Sequence, residues 1–469
     1  MTWGKKLISK ILITSMILGN VFAVIAYANE VGDDTEPPNI DNQSLKVDKK
    51  SVDYGNIVNI SLRAADDKSG LKKVNICYEM PNGGKRKVIE LTYNKNTGLF
   101  EGSIVINKYL PDGAWEVYYI ELEDNNGNNN FVYDSEYLDL GNFVVNMTKR
   151  EKGILEIIGS DRYDTAVKLS KNQFISSETV VIANGAAMAD GLTVTPLASY
   201  VEAPLLLTAK DNMPNSTKEE VKRLKAKNAI IVGGTGVVSY NVIKELNGLG
   251  VTSVKRLGGK DRYETSLLIG EYINEKFKID IDSVFICNGY GEADSLSVSS
   301  AAGSDMAPII LVEKDKINPT TYKWLKAQKL SDAYVIGGKG VVSDSVLNKV
   351  NKITIRNTTP RLGGKDRYET NAIIIENLYG KGLKLDGVYF GARRSKTDSI
   401  FIAKGNILVD ALSAGPLAAL NGSPVVLSGN DLTNEQKVSL DGIKIKTILR
   451  TGGGISDRAV SSLKTFLSK

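Results

Sequence analysis

The sequence predicts a multidomain chain, with an N-terminal all-β sandwich followed by three tandem α/β modules built on parallel sheets. Three observations predict it. The stretch Arg256-Leu257-Gly258-Gly259-Lys260-Asp261-Arg262-Tyr263-Glu264-Thr265 returns unchanged at 361–370, and an eroded copy occupies 157–165; Asp161, Asp261 and Asp366 stand 100 and 105 residues apart. A period that long suits a small domain that buries its own core rather than a solenoid unit. Between the copies, aliphatic runs alternate with amphipathic segments, whereas residues 41–148 show short alternating runs and frequent turns.

Residues 1–28 read as a secretory signal. Lys5, Lys6 and Lys10 form a positive start, Ile11 to Ile25 are largely apolar, and Ala26-Tyr27-Ala28 supplies a small-x-small cleavage pattern. Residues 29–40 read as a polar, acidic linker without periodicity. Residues 41–148 read as strands with one buried face, such as Ile57-Val58-Asn59-Ile60-Ser61-Leu62. Asp67-Lys68-Ser69-Gly70, Asn96-Thr97-Gly98 and Asn125-Asn126-Gly127-Asn128 are turn chemistry. About seven strands at that spacing indicate an immunoglobulin-like sandwich. Asp66, Asp67, Glu123 and Asp124 are a weak calcium option at one end of it, set against the simpler reading of solvated acidic turns. No other metal or cofactor is expected.

The modules are placed at 154–252, 253–357 and 358–469. In the first, strands are expected at Val180–Ala183, Leu205–Leu207, Ile230–Val232 and Ser253–Lys255. Helices are expected at about 190–201, 217–227 and 239–246. Near-continuous aliphatic strands separated by amphipathic helices indicate a parallel sheet covered on both faces. Each module also carries an Asp-small-Leu step (Asp190, Asp294, Asp410). Fourteen residues later a proline opens an aliphatic run, and further on a strand ends in glycines.

Most of the repeated stretch has a structural explanation. Asp161, Asp261 and Asp366 are expected to cap the following helix, with Glu264 and Glu369 completing a capping box and Asp164 a weaker one. Gly258-Gly259 turn the chain from strand to helix. Tyr163, Tyr263 and Tyr368 pack their rings and hydrogen-bond through their hydroxyls. Asp190, Asp294 and Asp410 are read first as helix caps. Arg162, Arg262 and Arg367 have no capping role; they either pair across a module interface or fork onto an anionic ligand. Lys260 and Lys365 stand at a helix start, where backbone N–H groups favour anions; the first copy has Ser160 there. Gly233-Gly234-Thr235-Gly236 and its repeat at 337–340 follow strands but fit no nucleotide-binding fingerprint.

The repeated RLGG-x-DRYET, the D-[AGS]-L step, the P-[ILV]-[ILV]-L run and the glycine-ended strand together resemble the cell wall binding repeat type 2 family of clostridial and bacillar surface proteins. The resemblance covers about two-thirds of the chain. It implies a Rossmann- or toprim-like module, three copies packed about a pseudo-threefold axis, and attachment to the wall.

Composition narrows the function. Histidine is absent, which removes Ser-His-Asp and Cys-His catalysis and every histidine-ligated zinc site. Cys77 and Cys287 fall in different domains and read as unpaired apolar residues. Residues 151–469 carry 42 Lys+Arg against 34 Asp+Glu, whereas 29–150 carry 14 against 20. A basic array behind an acidic head suits an anionic polymer. The expectation is a non-catalytic, secreted surface protein held noncovalently to a Gram-positive wall by an anionic polysaccharide or teichoic-type polymer. Neither nucleic acid nor, after signal cleavage, membrane is expected as a partner, and the head's partner is left open. The rivals are a self-assembling surface-layer component and, behind it, a wall hydrolase or amidase relative.

Overall fold

The computed structural model describes residues 34–467 apart from 42, 82–85, 107–112, 134, 147–152, 279, 381, 386–387 and 391–397. The signal sequence expected over 1–28 and the linker up to residue 33 lie outside the described residues. Among the described residues, no helix is long and apolar enough to cross a membrane.

The N-terminal region is built from two sheets around one core. In one, Ser51–Val52, Phe143–Val145, Gly113–Asp124, Leu71–Glu79 and Arg86–Glu90 lie side by side, with Asn129–Val132 added to the long strand Gly113–Asp124. In the other, Lys46–Val47, Ile57–Leu62, Leu99–Val105 and Thr92–Asn94 follow in order. Alternation decides which residues face inward: Val58, Ile60 and Leu62 from one sheet meet Val74, Ile76, Ile120 and Leu122 from the other. Trp115 stacks on Phe143 at 5.5 Å, and Tyr78 sits edge-on to Phe143 while its hydroxyl donates to the Gly141 carbonyl at 3.0 Å. A buried tyrosine hydroxyl needs such an acceptor.

Two expectations change here. Residues 34–40 are not free linker: Asp34 and Pro38 are buried, and Asn39–Ile40 pair with Ala64–Ala65. The four acids named as a calcium option do not converge. Glu123 pairs with Lys72 at 2.5 Å, and buried Asp124 accepts the Asn126 and Asn128 N–H groups at 2.9 and 2.8 Å, closing its own turn. Both cysteines are buried and unpaired, as expected.

Beyond residue 152 the chain forms three four-stranded parallel sheets. The first orders Leu205–Thr208, Thr179–Asn184, Asn228–Val232 and Ser253–Leu257; the second orders Ile309–Val312, Ser283–Asn288, Asp332–Ile336 and Arg361–Leu362. The first three strands in each order are buried almost throughout, as parallel strands covered on both faces must be. The strand entering each repeated motif thus belongs to the preceding sheet. Ser253–Leu257 and Arg361–Leu362 therefore pair with the sheet on the N-terminal side of the sequence boundaries placed at 252/253 and 357/358.

The third sheet shows what this means for the whole. It orders Val425–Ser428, Ser399–Lys404, Thr447–Thr451 and, at its edge, Gly153–Ile157. The first strand of the array completes the last sheet, so the repeats close on themselves. Inside the ring the helices Thr195–Tyr200, Glu292–Ser304 and Val409–Leu420 each touch the other two. Small residues permit it: a Cβ on Gly303 would stand 2.6 Å from Ala419 Cβ and Ser199 Oγ, and one on Gly415 2.5 Å from Thr195 Oγ1. Ser304 donates its hydroxyl to the Ala419 carbonyl at 2.8 Å across the same contact.

Candidate functional site

Each repeated motif opens a helix: Arg162–Gln173, Arg262–Phe277 and Arg367–Ile375. The aspartate before it is an N-cap in all three. Asp161 accepts from Asp164 N–H at 2.8 Å, Asp261 from Glu264 N–H at 2.9 Å, and Asp366 from the Tyr368 and Glu369 N–H groups at 2.9 Å. The reciprocal half of the expected capping box is displaced by one residue. Glu264 accepts from Lys260 N–H at 2.8 Å and Glu369 from Lys365 N–H at 2.6 Å, not from the cap's own amide. Asp164 accepts from Ser160 N–H in the same way at 2.9 Å. The amides beside the glycines are therefore satisfied internally, which leaves the lysine side chains, not the backbone, to meet an anion.

The arginines of the motif reach the carbonyl of the glycine that follows Thr179–Asn184, Ser283–Asn288 or Ser399–Lys404 in their own repeat. Arg162 donates to Gly185, Arg262 to Gly289 and Arg367 to Gly405, at 2.6 to 2.7 Å. The tyrosine ring packs against the same glycine, where a Cβ would stand 3.0, 2.6 and 2.6 Å from Cε1 of Tyr163, Tyr263 and Tyr368. Their expected hydroxyl hydrogen bonds are not made among the described residues.

Asp190, Asp294 and Asp410 are not helix caps. Asp190 lies in a short 3-10 turn (Met188–Thr193), and Asp294 and Asp410 lie inside the first turns of their helices. Their carboxylates turn instead to the motif of the next repeat, in cyclic order. Asp190 takes the hydroxyl of Thr265 and the field of Arg262, Asp294 those of Thr370 and Arg367, and Asp410 those of Thr165 and Arg162. Each threonine oxygen meanwhile accepts an N–H of its own motif (Gly159, Gly259 or Gly364) at 3.1 Å. Burial pushes all three carboxyls up, Asp294 and Asp410 to about 6, against the downward pull of the threonine and arginine.

The strand-end glycines belong to this arrangement. Gly233, Gly337 and Gly452 all have positive φ, and a Cβ there would stand 2.9, 2.7 and 2.0 Å from the aspartate oxygen. The carboxylate fills the space in which a glycine loop would cradle a phosphate. Gly258 and Gly363 press their backbones onto Gly233 and Gly337, where a Cβ would stand within 2.4 Å of main-chain carbon.

At the second junction a groove of about 390 Å³ opens between repeats. Asp294, Gly338 and Tyr290 come from the second repeat, Lys365, Asp366, Arg367 and Thr370 from the third motif, and Met188 from the first repeat. Lys365 and Arg367 are exposed; Lys365 also reaches Glu435 at 3.2 Å. At the preceding junction Arg262 lies over the exposed ring of Tyr290 at 4.4 Å, and Lys260 is exposed. The closing junction differs. Glu156 replaces the arginine found at 256 and 361 and faces Arg450 at 3.4 Å, Ile158 replaces the first glycine, and Ser160 replaces the lysine.

The structure thus brings the predicted arginines, lysines, capping acids and D-[AGS]-L aspartates into three related junctions. Sequence reasoning missed the threonine that ends each motif. Its signal was present in the third repetition of an otherwise unassigned residue.

Comparison with known proteins fits this geometry. The family Cell wall binding domain 2 (CWB2) matches residues 156–243, 256–347 and 361–458. The N-acetylmuramoyl-L-alanine amidase LytC of Bacillus subtilis (strain 168) is 31% identical over 281 residues, which are 60% of this chain and 51% of LytC. The amidase enhancer of the same organism is 31% identical over 273 residues, 58% of this chain and 34% of that protein. The chain therefore spans about half and about a third of the curated relatives it matches. Among solved structures, Cwp6 from Clostridium difficile superposes with a TM-score of 0.61 at 31% identity, covering 92% of this chain and 68% of Cwp6. Cwp8 from the same species superposes at 0.60, sharing the fold at 21% identity over 88% of this chain and 89% of Cwp8. With three matched repeats spanning more than half its length, this chain belongs to the Cell wall binding domain 2 family.

Proposed function

We propose that this is a secreted, non-catalytic surface protein whose three repeats hold an anionic polymer of a Gram-positive wall at the junctions between repeats, with an immunoglobulin-like head displayed outward. One observation carries the reading. Lys365 and Arg367 of the third motif line a groove between repeats, and the backbone amide of Lys365, like that of Lys260 in the second motif, is already satisfied. A guanidinium with one N–H committed to a carbonyl keeps other donors for a phosphate or carboxylate group. Membership in a cell wall binding family and likeness to Cwp6 support the location; the polymer's charge is inferred from the lysines and arginines. Linked weak sites raise avidity by factors of about 10² to 10⁴ when one polymer can reach them together.

Co-sedimentation of the mature chain with wall sacculi tests this, with untreated walls compared across a salt series with walls stripped of phosphodiester-linked polymer. Binding is expected to disappear on stripping and to weaken with salt. Arg367→Ala is expected to weaken binding roughly tenfold, about 1.4 kcal/mol, with the fold verified by circular dichroism. Equal binding to bare peptidoglycan would overturn the anionic-polymer reading. Ordered assembly without any wall material would favour a surface-layer lattice.

A further inference from the structure

Three carboxylates in the N-terminal region lie outside the repeats and their junctions. Asp34 is 8% exposed, Asp66 is half-buried and Asp67 is exposed. One oxygen from each lies within 4.8 Å of the other two. The segment around Asp34 is tied down: its carbonyl accepts the Asn126 and Asn128 side-chain amides at 3.4 and 3.0 Å, and its Oδ2 accepts Ser69 N–H at 3.0 Å. Asp66 Oδ2 accepts the Lys68 and Gly70 N–H groups at 3.2 and 2.7 Å. Both carboxylates thus spend one oxygen on the 66–70 turn. Their other oxygens, Asp34 Oδ1 and Asp66 Oδ1, are buried without any hydrogen-bond partner.

A buried acceptor without a donor is costly, and three carboxylates this close repel one another. A hard cation relieves both costs at once. The donors are oxygen only, the chain has no histidine, and neither cysteine lies here, which disfavours zinc and the softer transition metals. Three carboxylates in one place suit calcium, which takes about six to eight oxygen ligands in a flexible shell, better than magnesium, which usually keeps several waters and takes only one or two carboxylates. Exposed Asp67 leaves one side open for water ligands. We propose that Asp34, Asp66 and Asp67 form a calcium site that fastens the chain ahead of Asn39–Ile40 to the 66–70 turn.

Calorimetric titration of the chelator-treated mature chain with Ca²⁺, and separately with Mg²⁺, tests this. One Ca²⁺ per chain is expected, with a dissociation constant on the order of 10⁻⁴ to 10⁻³ M, the range of extracellular modules. Asp34→Asn and Asp67→Asn are each expected to raise that constant tenfold or more, and exposed Glu116→Gln to leave it unchanged. Asp67→Asn keeps the test decisive if Asp34→Asn fails to fold. Absence of saturable Ca²⁺ binding, binding indifferent to Asp67→Asn, or Mg²⁺ binding as tightly as Ca²⁺ would each overturn the assignment.

Discussion

Asp294 shows how much a single residue does at a junction. Its carboxyl is 8% exposed and held up to about 6 by burial, while an unfolded aspartate titrates near its ordinary 3.8. The folded state therefore keeps a proton that the unfolded state has lost, and the linked stability is fully present below pH 3.8 and is lost as pH rises through 6. A shift of this size corresponds to on the order of 2–3 kcal/mol. Asp410 adds a contribution of the same sign. Urea denaturation of the wild-type chain and of Asp294→Asn between pH 4 and 7 checks this. The variant is expected to lose less stability across that window, and equal slopes would refute it. Sequence located these aspartates by repetition but misassigned their role. An aspartate at a helix start reads as a cap, and nothing local reveals that its carboxylate faces a motif some 70 residues further on, or, for Asp410, one near the array's start.

At the scale of elements, the strand ends meet so closely that backbone touches backbone. A Cβ on Gly258 would stand 2.4 Å from Gly233 carbon and 2.5 Å from Gly234 nitrogen, neither able to move aside as a side chain tip would. Gly258→Ala is expected to cost roughly 2–4 kcal/mol, whereas Gly236→Ala, with nothing within 4 Å, is expected to change stability by less than about 0.5 kcal/mol. Thermal denaturation of the two variants checks this. The strands themselves were legible, because aliphatic runs such as 230–232 bounded by glycine leave little choice. Their sheet membership was not. Ser253–Leu257 alternates between exposed and covered residues, as an edge strand does, and local pattern cannot say which sheet an edge joins. The head was legible as two-sheet β structure through its alternation, while the anchoring of Asp34 depends on Asn126 and Asn128, some ninety residues away.

For the whole molecule, the repeats are not three beads on a string. Each lends an edge strand to a neighbouring sheet and an arginine–threonine pair to a neighbouring aspartate. A fragment cut at the sequence repeat, residues 154–252, lacks the strand Ser253–Leu257 and leaves Asn228–Val232 with an open edge. It is expected to aggregate or to show reduced cooperativity on melting, whereas 150–469 melts cooperatively. Size-exclusion chromatography and circular dichroism check both. The eroded first motif falls at the closing junction, where the pair Glu156–Arg450 stands in for the arginine–carbonyl bonds of the other two.

That closure also sets an order of events. Glu156 and Arg450 are 294 residues apart in sequence, and bringing such distant strands together costs about 5 kcal/mol of chain entropy before any contact repays it. A chain emerging N-terminus first cannot pair Gly153–Ile157 with its partner until Thr447–Thr451 has emerged too. The first strand must wait as an unpaired edge while the other two sheets assemble. The last sheet to form is therefore the one that locks the array, and slow, non-local closure is the step at which an unfinished copy is most open to pairing with another chain.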